Sequence, residues 1–164
     1  MKDSLRRFLS REAGPVAQFV KYALAGVVAT GVDVAVFYSA AVFLLPALTP
    51  SDPVARLFSL EVAPVGEALR STRYVWDKVL AFMFSNLTVY FINIRWVFTP
   101  GRHGRAMELA LFYAVSASSF AIGTGLGWLL IRTVGLSTTY AYAANAAAAI
   151  AINYACRKYI VFKG

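Results

Sequence analysis

The stretch VAQFVKYALAGVVATGVDVAVFYSAAVFLL, residues 16–45, decides the fold, for its only charges are Lys21 and Asp33. A helix of about 20 predominantly apolar residues crosses the hydrocarbon core of a bilayer, and this run is longer. Inside lipid every backbone N–H and C=O must pair within the protein, which leaves helices or a closed barrel. Barrel strands alternate apolar and polar residues with period two, and YAYAANAAAAIAIN at 140–153 does not. The run is therefore read as a membrane-crossing helix.

Three further apolar stretches lie at about 79–98, 106–131 and 138–156, and hydrophobic residues make up 59% of the chain at a mean hydropathy of +0.62. The expected fold class is an all-α polytopic membrane protein with four transmembrane helices. Residues 1–164 read as a single four-helix transmembrane domain with an extracytoplasmic loop at 46–74, closed in by Pro46 and Pro50 at its start. A packed surface loop containing a short helix is the expectation there, with a substrate lid as the alternative. Pro100-Gly101 and Gly135 mark the other two turns.

The formal net charge of +8 invites a nucleic-acid reading, but the distribution of charge opposes it. Eleven of the sixteen basic residues fall on one side of the spans: Lys2, Arg6, Arg7, Arg11, Lys21, Arg95, Arg102, Arg105, Arg157, Lys158 and Lys163. The positive-inside rule places that side, and both termini, in the cytoplasm. The excess reads as topology in the cytoplasmic membrane and as attraction to anionic lipid headgroups, with no nucleic acid as partner. Leu5, Phe8 and Leu9 among the first basic residues predict an amphipathic segment lying in the headgroup plane.

The chain also repeats itself. NIRWVF ends at Phe98 and RKYIVF at Phe162, 64 positions later, and Tyr90 and Tyr154 keep that spacing. KYALAGVV at Lys21 echoes FYAVSASS at Phe112, 91 positions on, the difference matching the long first loop. Two helical hairpins in parallel orientation account for these offsets, because two spans per repeat return the chain to the side it left.

Polar residues at membrane depth are the candidates for function. Tyr22, Gly26, Thr30 and Asp33 are spaced four, four and three apart, so they share a helix face expected to point inward. An acid near the centre of a span costs about 2.5 kcal/mol or more to insert. Two readings of Asp33 stay open: a carboxylate that fixes the bundle through hydrogen bonds, or one that responds to protons or cations during transport. Asn86, Tyr90 and Asn93 form a second stripe, with Ser85 and Thr88 beside it, while Asn145 and Asn153 share a face of the last span. Buried amides commonly join membrane helices. Ser116, Ser119, Gly123 and Gly127 make a small-residue stripe ending in GxxxG, whose partner helix belongs either to the same chain or to another copy. No acid besides Asp33 is read at membrane depth. His103 and Cys156 are the only residues of their kinds, there is no metal-ligand cluster, and no nucleophile–base pair stands out. Catalysis, a metal and a cofactor are not expected.

FVKYALAGVVATGVDVAVF at 19–37 and YFINIRWVF at 90–98 resemble the GtrA-like proteins, small four-span membrane proteins associated with cell-surface polysaccharide synthesis. NYACRKYIVF at 153–162 echoes the second motif with Arg157 shifted relative to Arg95. The resemblance implies handling of a polyprenyl-phosphate-linked sugar, flipped across the membrane or supplied to a partner glycosyltransferase. On that reading Arg95, Lys21 and Arg157 hold the lipid phosphate, since a guanidinium matches phosphate geometry. Asp33, Thr30, Asn86, Asn93 and Asn153 line a polar path for the sugar, and a homodimer would enlarge it. Two alternatives are a non-catalytic subunit that recruits a glycosyltransferase, and a small proton-coupled cation exporter. Exporters of that size carry Glu and a weak charge bias.

Overall fold

The computed structural model describes residues 15–97 and 105–156, and among them every regular element is helical. Helix α1 covers Pro15–Ser39 and runs on into a π-helical turn at Ala40–Leu44. After a short α2 at Pro53–Leu57 comes α3, Glu67–Ile92, which likewise passes into a π-helical turn at Asn93–Val97. Helices α4 and α5 cover Arg105–Val134 and Thr138–Cys156. The expected amphipathic segment before Gly14, the turn at Pro100-Gly101 and the RKYIVF echo lie outside the described residues.

Among the described residues two helices are long and apolar enough to cross a bilayer: Val20–Leu44, 25 residues, and Glu67–Val97, 31 residues. At about 1.5 Å per residue each exceeds the roughly 30 Å core. The third and fourth apolar stretches are also helical, as α4 and α5. Exposure is inverted relative to a water-soluble fold: Val27, Phe43, Ile122 and Leu129 lie on the surface, while Lys21, Asp52, Arg70, Asp77 and Lys78 are buried. Apolar groups outside and charged groups inside are what a lipid solvent requires.

The chain divides into two compact units. The first comprises residues up to Ala35 together with Ala81–Val115. In it Tyr113 of α4 donates its hydroxyl to the Met83 carbonyl at 2.7 Å, and its ring meets Phe82 edge-on at 5.7 Å. The second comprises Val36–Leu80 and the residues from Ser116 on. Its centre is an aromatic cluster of Phe37, Tyr38, Tyr74 and Tyr142, with the Lys78 ammonium 4.5 Å from the Tyr142 ring centre. Beside it Ala41, Ala47, Leu48 and Ala55 pack the loop onto the end of α1.

The short helix expected inside the loop is α2, and Asp52-Pro53 starts it in the usual way. Asp52 accepts from the Val54 N–H at 3.0 Å, and proline occupies the first helical position, where its missing N–H is no loss. The loop itself is shorter than expected, because α3 begins at Glu67, twelve residues ahead of the apolar stretch at 79–98. Two of the charges at 67–78, ahead of the apolar stretch, have hydrogen-bond partners in the fold. Arg70 donates to the carbonyls of Leu136 and Gly135 at 2.8 and 3.2 Å, and Arg73 donates to that of Pro46 at 2.9 Å.

The GxxxG stripe also finds its partners within the chain. A Cβ on Gly123 would meet the Asn145 side chain, and one on Gly127 would meet the Tyr74 ring. Gly135 ends α4 with φ of +67°, its N–H donating to the Ile131 carbonyl at 3.2 Å. That is the left-handed cap for which glycine is suited.

Candidate functional site

In the first unit the packed face of α1 is Lys21, Ala25 and Ala29, spaced four apart, with Asp33 half-buried a turn further on. The face thought to point inward is therefore rotated from that expectation: Tyr22 and Thr30 are exposed. Thr30 does not need a partner on another helix, because its hydroxyl donates to the Gly26 carbonyl of its own helix at 2.9 Å. Asp33 does reach across, and Ser85 Oγ of α3 donates to its Oδ1 at 3.3 Å.

The stripe on α3 is buried as its spacing implies, with Asn86, Tyr90 and Asn93 each less than a tenth exposed. Where the helix widens into the π-helical turn, Asn93 and Val97 stay buried and Arg95 is turned outward. Such widenings recur at functional sites because they re-aim side chains within an otherwise regular helix. Trp96, in the same turn, presents its ring 5.5 Å from the ammonium of Lys21, which is fully buried. An ammonium out of water is stabilised by an aromatic face, by up to about 2 kcal/mol when desolvated.

Two kinds of buried amide can now be told apart. Asn145, in the second unit, donates to the Tyr74 hydroxyl at 3.2 Å and to Thr124 Oγ1 at 3.5 Å, so it ties α5 to α3 and α4. It is the interhelical glue foreseen for such residues. Asn86 and Asn93 differ, for Asn86 Nδ2 and Asn93 Oδ1 are buried with no hydrogen-bond partner. Each such atom costs about 1–3 kcal/mol. They lie seven residues apart, Asn86 in α3 and Asn93 at the start of the π-helical turn that continues it, one atom a donor and the other an acceptor. A stripe with both capacities left over can receive a polar group that the chain does not supply.

Of the candidate residues, Lys21, Thr30, Asp33, Asn86, Asn93 and Arg95 all lie in the first unit. Asn153 is in α5, but its side chain, like the whole of Arg157, lies outside the described residues. The sequence reading passed over Asp52, Asp77 and Lys78, which it took for charges outside the membrane. Asp77 lies within the 31-residue apolar helix, is fully buried, and has no hydrogen-bond partner at either oxygen, so Asp33 is not the sole acid of the apolar helices. The Asp-Pro start of α2 could have flagged Asp52 as a cap; nothing local flags Asp77.

With this geometry in view, the GtrA/DPMS transmembrane domain family matches residues 21–162, a range that includes Lys21, Asp33, Asn86, Asn93 and Arg95. The chain belongs to this family. No curated protein and no solved structure matches it. As a GtrA/DPMS chain it is a membrane protein, and the family ties it to glycan synthesis.

Proposed function

We propose that this GtrA/DPMS chain translocates a polyprenyl-phosphate-linked sugar across the cytoplasmic membrane, without itself catalysing a reaction. Four spanning helices, arranged as two parallel hairpins, leave both termini in the cytoplasm. Arg95, exposed at the end of α3, meets the lipid phosphate there. Lys21 adds positive potential from beneath the Trp96 ring, and Arg157 contributes from the second repeat. Asp33, Asn86 and Asn93 of the first unit offer the sugar hydroxyls partners, with Thr30 at an exposed position and Asn153 given the same role on its sequence pattern alone, while the polyprenyl chain stays in the bilayer.

The observation that carries this reading is the pair of unpartnered amide atoms, Asn86 Nδ2 and Asn93 Oδ1, on one buried face. A purely structural stripe would be satisfied, as Asn145 is. The test is native mass spectrometry of the gently solubilised protein, wild type beside Arg95→Ala. A glycosylated polyprenyl phosphate retained by the wild type should fall at least about tenfold in the variant, the loss expected of one charge-assisted hydrogen bond. If both retain bulk phospholipid alone, the translocation reading fails, and a subunit that recruits a glycosyltransferase takes its place.

A further inference from the structure

The second unit contains a cavity of about 360 Å³ lined by Thr49, Ser51, Val65, Gly66, Glu67, Arg70, Gly135 and Ser137. None of its polar residues belongs to the phosphate site or to the polar stripe of the first unit. We infer that this cavity is a saccharide site that takes one uncharged pyranose ring.

The chemistry of the lining selects the ligand class. Glu67 offers a carboxylate, which only accepts hydrogen bonds when ionised, and Arg70 a guanidinium, which only donates. Thr49, Ser51 and Ser137 add hydroxyls, which do both. An anion would be repelled by Glu67 and a cation by Arg70. A neutral ring with adjacent hydroxyls can donate to the one and accept from the other. Val65 is the one apolar side chain in the lining, too little to hold a lipid tail. The volume is near the lower end of the roughly 300–1,000 Å³ usual for small-ligand sites, which suits a single ring better than a chain of them.

The site is also held in shape by contacts that do not use up its capacity. The Arg70 side chain is almost fully buried, its two terminal nitrogens are fixed on the carbonyls of Leu136 and Gly135, and its Nε has no partner. A guanidinium has five N–H donors, so N–H groups remain beyond those two bonds. Thr49 and Ser51 hydrogen-bond each other at 3.1 Å, and Ser137 Oγ accepts from the Tyr140 N–H at 3.4 Å at the start of α5. Lining fixed before binding reduces the entropy lost when a ligand arrives. The inference rests on the proposed function in one respect, the arrival of the ring on a lipid; its chemistry stands without that.

Gly66 supplies the test. Gly66 lines the cavity and a Cβ there meets nothing within 4 Å, so a side chain can be added at this lining position without its Cβ touching the walls. The full chain in detergent, as wild type, Gly66→Leu and Gly66→Ser, is examined by saturation-transfer difference NMR. The probes are the methyl pyranosides of glucose, galactose, mannose and rhamnose. At least one should receive saturation from the wild type and from Gly66→Ser, and none from Gly66→Leu at an unchanged melting temperature. Glu67→Gln, altering an exposed side chain, should weaken the same probe about tenfold, and it decides the matter should Gly66→Leu not fold. Absence of transfer to all four probes overturns the inference, as does equal transfer from wild type, Gly66→Leu and Glu67→Gln. The probes carry neither phosphate nor prenyl chain, so this outcome is independent of lipid retention by Arg95. Comparing lipid-linked sugar in wild type and Gly66→Leu then tells the source. A lower content in the variant places the bound ring on the lipid, and equal content assigns the site to a saccharide not carried on one; the site stands in both cases.

Discussion

Gly127→Ala tests the packing of the second unit at its tightest point. An ideal Cβ on Gly127 would lie 2.5 Å from Cζ and 2.6 Å from Cε1 of Tyr74, where ordinary contact begins at 3.4 Å, so the ring must retreat by about 1 Å. Tyr74 has little freedom to do so. It is fully buried and packed edge-on against Phe37 at 5.6 Å. Its hydroxyl donates to the Ala141 carbonyl at 3.4 Å and accepts from Asn145 at 3.2 Å. Overpacking of this kind costs about 1–3 kcal/mol, and weakening two hydrogen bonds adds about 1 kcal/mol each. The better helix propensity of alanine returns about 1 kcal/mol. The net expectation is a destabilisation of about 2–4 kcal/mol. Gly125, two residues earlier on the same helix, has nothing within 4 Å of its Cβ position, so Gly125→Ala should stabilise by about 0.5–1 kcal/mol. The assay is reversible SDS unfolding in mixed micelles followed by circular dichroism. Tyr74→Phe, which removes the hydroxyl facing Gly127, should recover part of the loss in the double variant. Equal tolerance of alanine at 125 and 127 would refute the packing argument outright.

The amides should separate in the same assay. Asn145→Leu is expected to lose about 2 kcal/mol, because it removes the donor that the Tyr74 and Thr124 hydroxyls accept from. Asn86→Leu and Asn93→Leu should unfold at or above the wild-type midpoint yet retain less lipid-linked sugar by native mass spectrometry; a large stability loss in either would make it glue instead. Asp52→Ala should cost about 2–4 kcal/mol, since the carboxylate caps α2 through Val54 and receives both the N–H and the hydroxyl of Thr139 at the start of α5. Asp52→Asn keeps one acceptor oxygen and should lose roughly half as much by the same measurement.

The family was legible because its motifs are local: the 19–37 segment and the run at 90–98 carry their polar residues at fixed intervals within single helices. The burial of Asn86, Tyr90 and Asn93 followed from the same arithmetic, four and three residues being one helical face. Thr30 shows the limit of that arithmetic. Periodicity says which residues share a face but not which way the face turns, and a hydroxyl that bonds its own helix can face outward without penalty. The cavity at Gly66 was invisible, since its lining comes from three chain segments, two in loops and one running into the start of α3, separated by many residues.

What the sequence determined by itself is the solvent and the secondary structure. Apolar runs longer than a bilayer is thick must be helical, because lipid offers the backbone no other partner. Only the tertiary structure decided where α3 begins, which glycines are spaces for a ring, and which amides are satisfied. The physical reason is that each depends on a partner distant in the chain. Arg70 can be buried because the carbonyls of Gly135 and Leu136 are there to receive it, and Gly127 must stay bare because Tyr74 lies against it.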